Sequence, residues 1–392
     1  MSRKPVRVLH IITRLIVGGA QENTIYTALM LDKTKYRIDV LTGPQTGAEG
    51  SLIEEFRDRG GNLIILREMI REISPVNDFL AFTKLVRLIK MGHYDIVHTH
   101  SSKAGVLGRM AAKLAGVPLI IHTVHGWSFH SHMSRWIAGV YIWLEKFSEK
   151  ITDKLIVVTT LDVKKGLDVG IGKKDKYKLI RSAINLEAFN PKLYDKKVTR
   201  KRLGIPADAL VVGNVGRLSI QKNPMEWLRV ASLLSEKMGN IYFLMVGDGP
   251  LRDEVEETIR EFKLEEKVIL TGLRRDVPRL MSAMDIFLLT SKWEGLPRVL
   301  PQAMSMGIPV VATIADGTAE IIENGKTGFL CETGDINRMA AVCLELLNDS
   351  KLRDEIGDNG KKQVRREFDV KLMIKEIDHL YTESLKNKKF ID

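Results

Sequence analysis

Short β-rich runs alternate with longer amphipathic runs along this chain, and the alternation starts over once. In the first half the candidate strands are Val6–Ile12, Ile38–Thr42, Leu63–Leu66, Asp95–Thr99, Leu119–Val124, Lys154–Thr159 and Lys178–Arg181. Helical patterns lie between them at Gln21–Met30, Asp78–Lys90, Gly105–Leu114 and Ser134–Lys150. Strands separated by helices build parallel sheets covered on both faces. A polar, basic stretch from Asn190 to Ile205, with Pro191 and K-K-V-T-R-K-R, reads as a linker. The pattern then resumes with strands at Ala209–Val215, Ile241–Val246, Lys267–Leu270, Asp285–Leu289 and Ile308–Ala312. Its helices are Glu226–Lys237, Leu251–Phe262, Arg298–Met306 and Ile336–Leu347, and Val370–Leu385 is one more amphipathic helix. A chain of 392 residues exceeds one ordinary core. The expectation is an α/β protein of two doubly wound domains facing a cleft, residues 1–190 and 207–369, with 191–206 between them. Ligands of such sheets bind at the carboxyl ends of the strands.

Composition narrows the partners. Hydrophobic residues make up 44% and charged residues 28%, as in globular proteins rather than disordered ones. No apolar run approaches the roughly 20 residues that span a bilayer. The apolar run near the N-terminus is broken at Arg14, which favours a buried strand over a signal peptide. Cys331 and Cys343 have neither metal nor disulfide spacing, which suits a reducing cytoplasm. The net charge of +11 is uneven: residues 1–202 carry the excess of Lys and Arg, and residues 203–392 are slightly acidic. The basic half implies an anionic partner, whether membrane lipid, polyphosphate or nucleic acid, or simply lysines that aid solubility. Nucleic acid is disfavoured, because no known binding-module motif is visible.

Candidate chemistry sits where strands hand over to helices. Trp293–Thr313 reads W-E-G-L-P-R-V-L-P-Q-A-M-S-M-G-I-P-V-V-A-T. Glu294 lies in a Gly/Pro loop that opens a helix, so a sugar-binding carboxylate is expected beside N–H groups suited to phosphate. V-G-N-V-G-R-L-S-I-Q-K-N-P puts Arg217 and Lys222 on one loop after a strand, a pairing suited to a diphosphate. Asn223-Pro224 is a plausible helix entry, with Asn as cap. V-G-D-G-P-L at 246–251 offers Asp248 to a ligand or is a plain tight turn. In G-L-R-R-D-V-P at 272–278 the backbone around Arg274 can meet a base, while Asp276 can cap the next helix. Gly18-Gly19-Ala20-Gln21 lacks the dinucleotide fingerprint but permits close backbone approach.

His125 follows a strand and precedes Gly126-Trp127, so it faces the expected ligand side. His98 and His100 share a strand face, and His122 is near in sequence, but the spacing argues against a metal site. Trp136, Tyr141, Trp143 and Phe147, with Lys146 and Lys150, mark a helix that either lies on a membrane or packs into the core, the commoner use of such residues. No serine nucleophile elbow or P-loop is present.

Together these motifs resemble the family-four retaining glycosyltransferases of the GT-B fold. The carriers are G-G-A-Q, T-V-H-G-W at 123–127, G-R-L-S-I-Q-K-N at 216–223, the 294–313 segment, D-G-T-A-E-I-I at 316–322 and N-G-K-T-G-F-L at 324–330. H-T-H-S-S-K-A-G-V-L-G-R with T-V-H-G-W-S-F-H is most similar to the branch that builds bacterial capsule, exopolysaccharide and O-antigen units.

The resemblance implies a GT-B fold whose last segment, 370–392, returns to the first domain. It implies Arg217 and Lys222 on the pyrophosphate, Glu294 with the amides of Gly295 and Leu296 on the donor sugar, His125 reaching the sugar, and Gly19 behind the phosphate. Arg274 joins this donor-binding set. The family's second Glu, eight positions after the first, is Gln302 here. A neutral amide still pairs with a ribose diol, more weakly than a carboxylate. Transfer with retention by front-face attack is implied, with no metal and no cofactor beyond the nucleotide-sugar cosubstrate, for which UDP is favoured over GDP. The expected acceptor is a polyprenyl-diphosphate-linked sugar or saccharide. The expected location is cytoplasmic, peripheral at the inner face of the cell membrane. A non-catalytic GT-B subunit and a nucleotide-sugar epimerase are the rival readings.

Overall fold

The computed structural model describes residues 4–45, 50–129, 133–388 and 390. The chain divides into two compact units, Met1–Ser182 with Val370–Asp392, and Ala183–Asp369.

The first unit is built on seven parallel strands: β1 (Val6–Ile12), β2 (Tyr36–Thr42), β3 (Asn62–Ile65), β4 (Ile96–His100), β5 (Leu119–Val124), β6 (Lys154–Val157) and β7 (Tyr177–Leu179). Their spatial order is β3-β2-β1-β4-β5-β6-β7. The order reverses between β1 and β4, which makes their carboxyl ends the switch point where ligands of such sheets bind. Strands β4 and β5 are buried along their whole length. Both lack the strict apolar–polar alternation of a half-exposed strand, and their histidines and threonines are buried with the rest. On one face Leu9, Ile11, Val97 and Ile120 pack beneath helices Pro75–Gly92 and Ser102–Ala115. On the other, Ile12, Ile25, Val40 and Phe56 form a second apolar layer.

Helix Val370–Asn387 completes this unit with buried Met373, Ile377, Leu380, Tyr381 and Leu385. The Tyr36 hydroxyl donates to Asp378 at 2.8 Å and ties that helix to β2. Residues 389, 391 and 392 of the segment lie outside the described residues.

The second unit holds six parallel strands: β8 (Leu210–Val215), β9 (Ile241–Val246), β10 (Val268–Leu270), β11 (Ile286–Leu289), β12 (Val310–Thr313) and β13 (Phe329–Cys331). Their order is β10-β9-β8-β11-β12-β13, with its switch point between β8 and β11. Trp227 and Phe243 meet edge to face within the core, and the Trp227 indole N–H donates to the Leu288 carbonyl at 3.2 Å.

Three expectations need correction. The stretch expected as a linker, 191–206, belongs to the second unit. It contains helix Lys196–Arg202, whose Arg200 is buried and donates to Asp285 at 2.6 Å. The Asp285 carboxylate also accepts the Val211 N–H at 2.7 Å, so this basic helix is folded onto β8. The first unit accordingly ends at Ser182 rather than at residue 190. Strand β13 and helix Ser350–Glu367 went unassigned from sequence.

Candidate active site

At the switch point of the second unit, two loops meet. The loop after β8 carries Arg217 and Lys222, and both line a pocket with Asn214, Trp227 and Thr290. The loop after β11 carries Ser291 and Glu294. The Lys222 ammonium donates to Glu294 Oε1, and the Ser291 hydroxyl donates to the same oxygen at 2.6 Å. The Glu294 side chain is only 7% exposed and Lys222 20%, so the pair sits largely out of water. The loops are stitched along their length. Gln221 Nε2 donates to the Trp293 carbonyl at 2.9 Å, and the Lys292 N–H to the Gln221 carbonyl at 2.8 Å. The Thr290 hydroxyl donates to the Asn223 carbonyl at 3.0 Å.

The turn carrying Arg217 rests on the V-G-D-G turn. A Cβ on Gly247 would lie 2.0 Å from the Gly216 carbonyl oxygen, and one on Gly249 would lie 2.3 Å from that of Leu218. The Leu218 N–H donates to the Asp248 carbonyl at 3.0 Å. Of the two readings of that stretch, the tight turn accounts for its glycines. Two cations, one buried carboxylate and a serine hydroxyl are thereby fixed on rigid loops. Such a set can hold an anion and a polyhydroxylated group side by side.

Other sequence expectations fare unevenly. The helix after Glu294 begins only at Val299 and is seven residues long, so Gly295–Arg298 form a loop between the carboxylate and the helix. Glu294 thus lies, as expected, in a Gly/Pro loop that leads into the helix, whose first residue is Val299 rather than Arg298. Leu296 and Gln302 are buried there. Asn223 occupies the N-cap position in the left-handed region, with φ 50, but makes no capping bond. Its amide instead donates to Glu226 at 2.6 Å. Asp276 likewise makes no capping bond. It grips Arg274 through two contacts of 2.8 Å, and the guanidinium holds its carboxyl below the usual range.

In the first unit, Gly19 opens helix Gly19–Met30 after β1. His125 lies just beyond β5, half-buried. Behind it is a histidine cluster larger than the sequence reading foresaw. His100 Nδ1 lies 3.2 Å from His125 Nε2, and His10 Nδ1 lies 2.9 Å from His100 Nε2. The Tyr381 hydroxyl lies 3.3 Å from His10 Nε2 and 2.6 Å from His98 Nδ1. His98 Nε2 is 2.6 Å from Thr123 Oγ1. Desolvation lowers the His10 pKa to about 3 and drives those of His98, His100 and His122 well below the ordinary value.

His10, His98 and His100 bring ring nitrogens within 4.8 Å of one another, a spacing that admits a metal ion. Every ring nitrogen of the three, however, already has a hydrogen-bonding neighbour. His122 faces the other way, toward Thr99. Sequence reasoning missed His10, because its membership depends on the register that sets it beside His98.

Comparison with known proteins decides the family. A model of glycosyl transferases group 1 matches residues 195–363, and one of glycosyltransferase family 4 matches residues 17–188. The chain is 30% identical over 390 residues, 99% of each protein, to UDP-Gal:alpha-D-GlcNAc-diphosphoundecaprenol alpha-1,3-galactosyltransferase of Escherichia coli. The chain belongs to the family 4 glycosyltransferases. This glycosyltransferase is also 25% identical to the capsular polysaccharide biosynthesis glycosyltransferase CapM of Staphylococcus aureus, over 86% of this chain and 89% of CapM. Anabaena HepE, solved in complex with UDP and glucose, shares its GT-B fold with a TM-score of 0.83 at 23% identity, over 96% of this chain and 99% of HepE. The group 1 match contains the Arg217, Lys222 and Glu294 loops, and the family 4 match contains Gly19 and His125.

Proposed function

We propose that this glycosyltransferase moves a hexose or N-acetylhexosamine from a UDP-sugar, with retention, to a lipid-linked or saccharide acceptor in cell-surface polysaccharide synthesis. The carrying observation is the pocket loop in which Arg217 and Lys222 stand together with Glu294 bonded to Lys222. The galactosyltransferase of Escherichia coli, whose name gives a UDP-sugar donor and a diphosphoundecaprenol acceptor, supports the donor and the acceptor class. HepE crystallised with UDP supports the base.

In this reading the bond from the anomeric carbon to the β-phosphate oxygen breaks and the diphosphate gains charge. Arg217 and Lys222 stabilise that charge where water is partly excluded. Glu294 plays two parts. It orients the Lys222 ammonium, and it accepts from sugar hydroxyls on the side that Lys222 and Ser291 leave open. The amides of Gly295 and Leu296 assist it, and Gln302 and Arg274 act at the nucleoside. The acceptor oxygen attacks from the face the diphosphate leaves, and its proton passes to the departing phosphate oxygen. Gly19 backs the phosphate and His125 meets the sugar. The two cations do the work a divalent metal does elsewhere, so chelators leave the rate unchanged.

The acceptor side draws on helix Arg135–Glu149. Its buried residues are polar, Glu145 and Ser148, and Glu145 accepts from the fully buried Arg109 at 2.8 Å. Ala138, Tyr141 and Ile142 pack half-buried against Phe129, Leu155 and Ile171, but the rest of the apolar pattern is outside: Trp136 is 79% exposed and Trp143 64%, with Ile137, Val140 and Phe147 also exposed. An aromatic, apolar helix face in the basic half of the chain suits a peripheral seat at an anionic inner membrane face. No helix among the described residues is long and apolar enough to cross a membrane.

The test is a thermal-shift screen of UDP, GDP and their sugars, followed by turnover with and without a polyprenyl-diphosphate sugar. UDP-selective stabilisation and acceptor-dependent release of UDP are expected. Isomerised donor without acceptor would mark an epimerase. Donor binding without turnover under any acceptor would mark a non-catalytic subunit.

A further inference from the structure

We infer that Tyr381, His98, His10 and His100 form a hydrogen-bonded line that couples the tautomer of His125 to theirs, with Tyr381 as the positioning residue. The inference rests on the reading of His125 as the group that meets the sugar. All its members lie in the first unit.

The argument is a count of donors and acceptors. The contacts run in one unbranched line from Thr123 Oγ1 through His98, Tyr381, His10 and His100 to His125 Nε2. His10 is wholly buried, and His98 and His100 nearly so. Burial opposes a charge on any of the three rings, and each neighbouring ring adds to that opposition for His98 and His100. A neutral imidazole has one N–H and one bare nitrogen. A line of such rings, joined by one hydroxyl, satisfies every contact and also uses the Tyr381 O–H in only two ways. Either Thr123 donates first and every ring carries its proton on Nδ1, or His125 donates first and every ring carries it on Nε2. A third arrangement, with Tyr381 accepting from both His98 and His10, leaves its buried O–H unmet. Mixed states leave two N–H groups or two lone pairs facing each other in the interior, which costs about 1–3 kcal/mol for each unmet group.

The four rings therefore share one tautomer, and His125 presents Nδ1 as a donor in one state and as an acceptor in the other. A flip between the states moves each proton along the line and changes no net charge. Tyr381 comes from the C-terminal helix, whereas the histidines come from β1, β4 and the end of β5. That helix thus fixes the chemistry of a group on a strand end remote in sequence.

The experiment uses the full-length protein with ¹⁵N-labelled histidine, reading which ring nitrogen is protonated at neutral pH. The expected result is a single shared tautomer for His10, His98, His100 and His125. Tyr381→Phe should leave the protein folded, keep the His122 signals, and uncouple the tautomer of His98 from the one shared by His10, His100 and His125. The same variant should lower kcat about tenfold while Kd for UDP stays constant. Ile377→Ala, on the same helix but outside the line, should leave kcat unchanged despite lower stability. Should Tyr381→Phe fail to fold, Thr123→Val removes only the end partner of His98 and should shift the tautomer populations of all four rings together.

Unlike tautomers among the four rings, a His98 that still follows the other three rings in Tyr381→Phe, rings that shift independently of one another in Thr123→Val, or one zinc per chain in the purified protein would each overturn the coupling. His125→Ala separates this failure from failure of the functional reading. Full transfer activity in that variant would remove His125 from the sugar, while the ring-nitrogen signals would still decide whether the line exists.

Discussion

A single ammonium carries most of the residue-scale argument. Lys222 donates to a carboxylate that also holds a serine hydroxyl, so its position is fixed before any ligand arrives. Lys222→Ala removes a preorganised charge from the leaving group, and a loss of about 2–4 kcal/mol in transition-state stabilisation is expected. That is read as a fall in kcat of roughly 30- to 1,000-fold; an unchanged rate would take Lys222 out of the mechanism. Gln302 supports a second prediction. A carboxylate there accepts from both ribose hydroxyls, so Gln302→Glu should tighten UDP binding by roughly tenfold in calorimetry, since charged hydrogen bonds are about twice as strong as neutral ones. Equal or weaker binding would place Gln302 away from the ribose. Arg217, Lys222 and Glu294 were legible in the sequence because a loop after a parallel strand must open at the ligand-bearing edge. Asn223 was misread, because residue type announces a cap but not where the amide turns once Glu226 is three residues away.

Among the elements, what sequence hid and what it showed divide along burial. Strands β5 and β9 were read to the residue, since a run buried on both faces is mostly apolar and rich in β-formers. Helix Ser350–Glu367 was invisible. It is highly charged and carries glycines at 357 and 360, which weaken a helical pattern. The glycines have a packing cause: a Cβ on Gly357 would lie 2.2 Å from the Gly307 carbonyl oxygen. Gly357→Ala should therefore destabilise by about 1–3 kcal/mol through overpacking, although alanine is the better helix former by about 1 kcal/mol. A raised melting temperature would show that the two backbones are not in contact. Helix Arg135–Glu149 makes the opposite case, because its aromatic pattern was legible while the face it serves was not. The buried Arg109–Glu145 pair shares the inner side with Ala138, Tyr141 and Ile142, and the Trp136, Trp143 and Phe147 rings are left outside. Trp136→Ser with Trp143→Ser should leave stability unchanged and weaken cosedimentation with anionic liposomes by ~10-fold or more. Wild-type protein that stays in solution at low salt would end the membrane reading.

For the whole molecule, the two repeated sheets were legible from alternation alone, because each unit carries its own parallel strands and switch point. The break between them was not, since a basic stretch looks like a linker until Asp285 supplies its partner. Global stability should also report the buried histidines. His10, His98, His100 and His122 have folded pKa values below the ordinary 6.5, so they are neutral in the native state where the unfolded chain would bind a proton. Their stabilisation is complete above about pH 6.5 and is lost as pH falls from there toward the folded values, near 3 for His10. Each contributes a slope of up to roughly 1.4 kcal/mol per pH unit in that window. The carboxylates held low by partners, Asp32, Glu68, Asp276 and Glu323, lose their contribution only below their ordinary values of 3.8 and 4.5. Glu376, raised by burial, works in the opposite direction. Between pH 6.5 and 5 the histidines therefore dominate. The melting temperature should fall steeply across that interval, and unfolding at pH 5.5 should take up more than one proton per chain in calorimetry with buffers of different ionisation enthalpy. A flat profile would mean that the rings are charged in the native protein, and a neutral hydrogen-bonded line could not then exist.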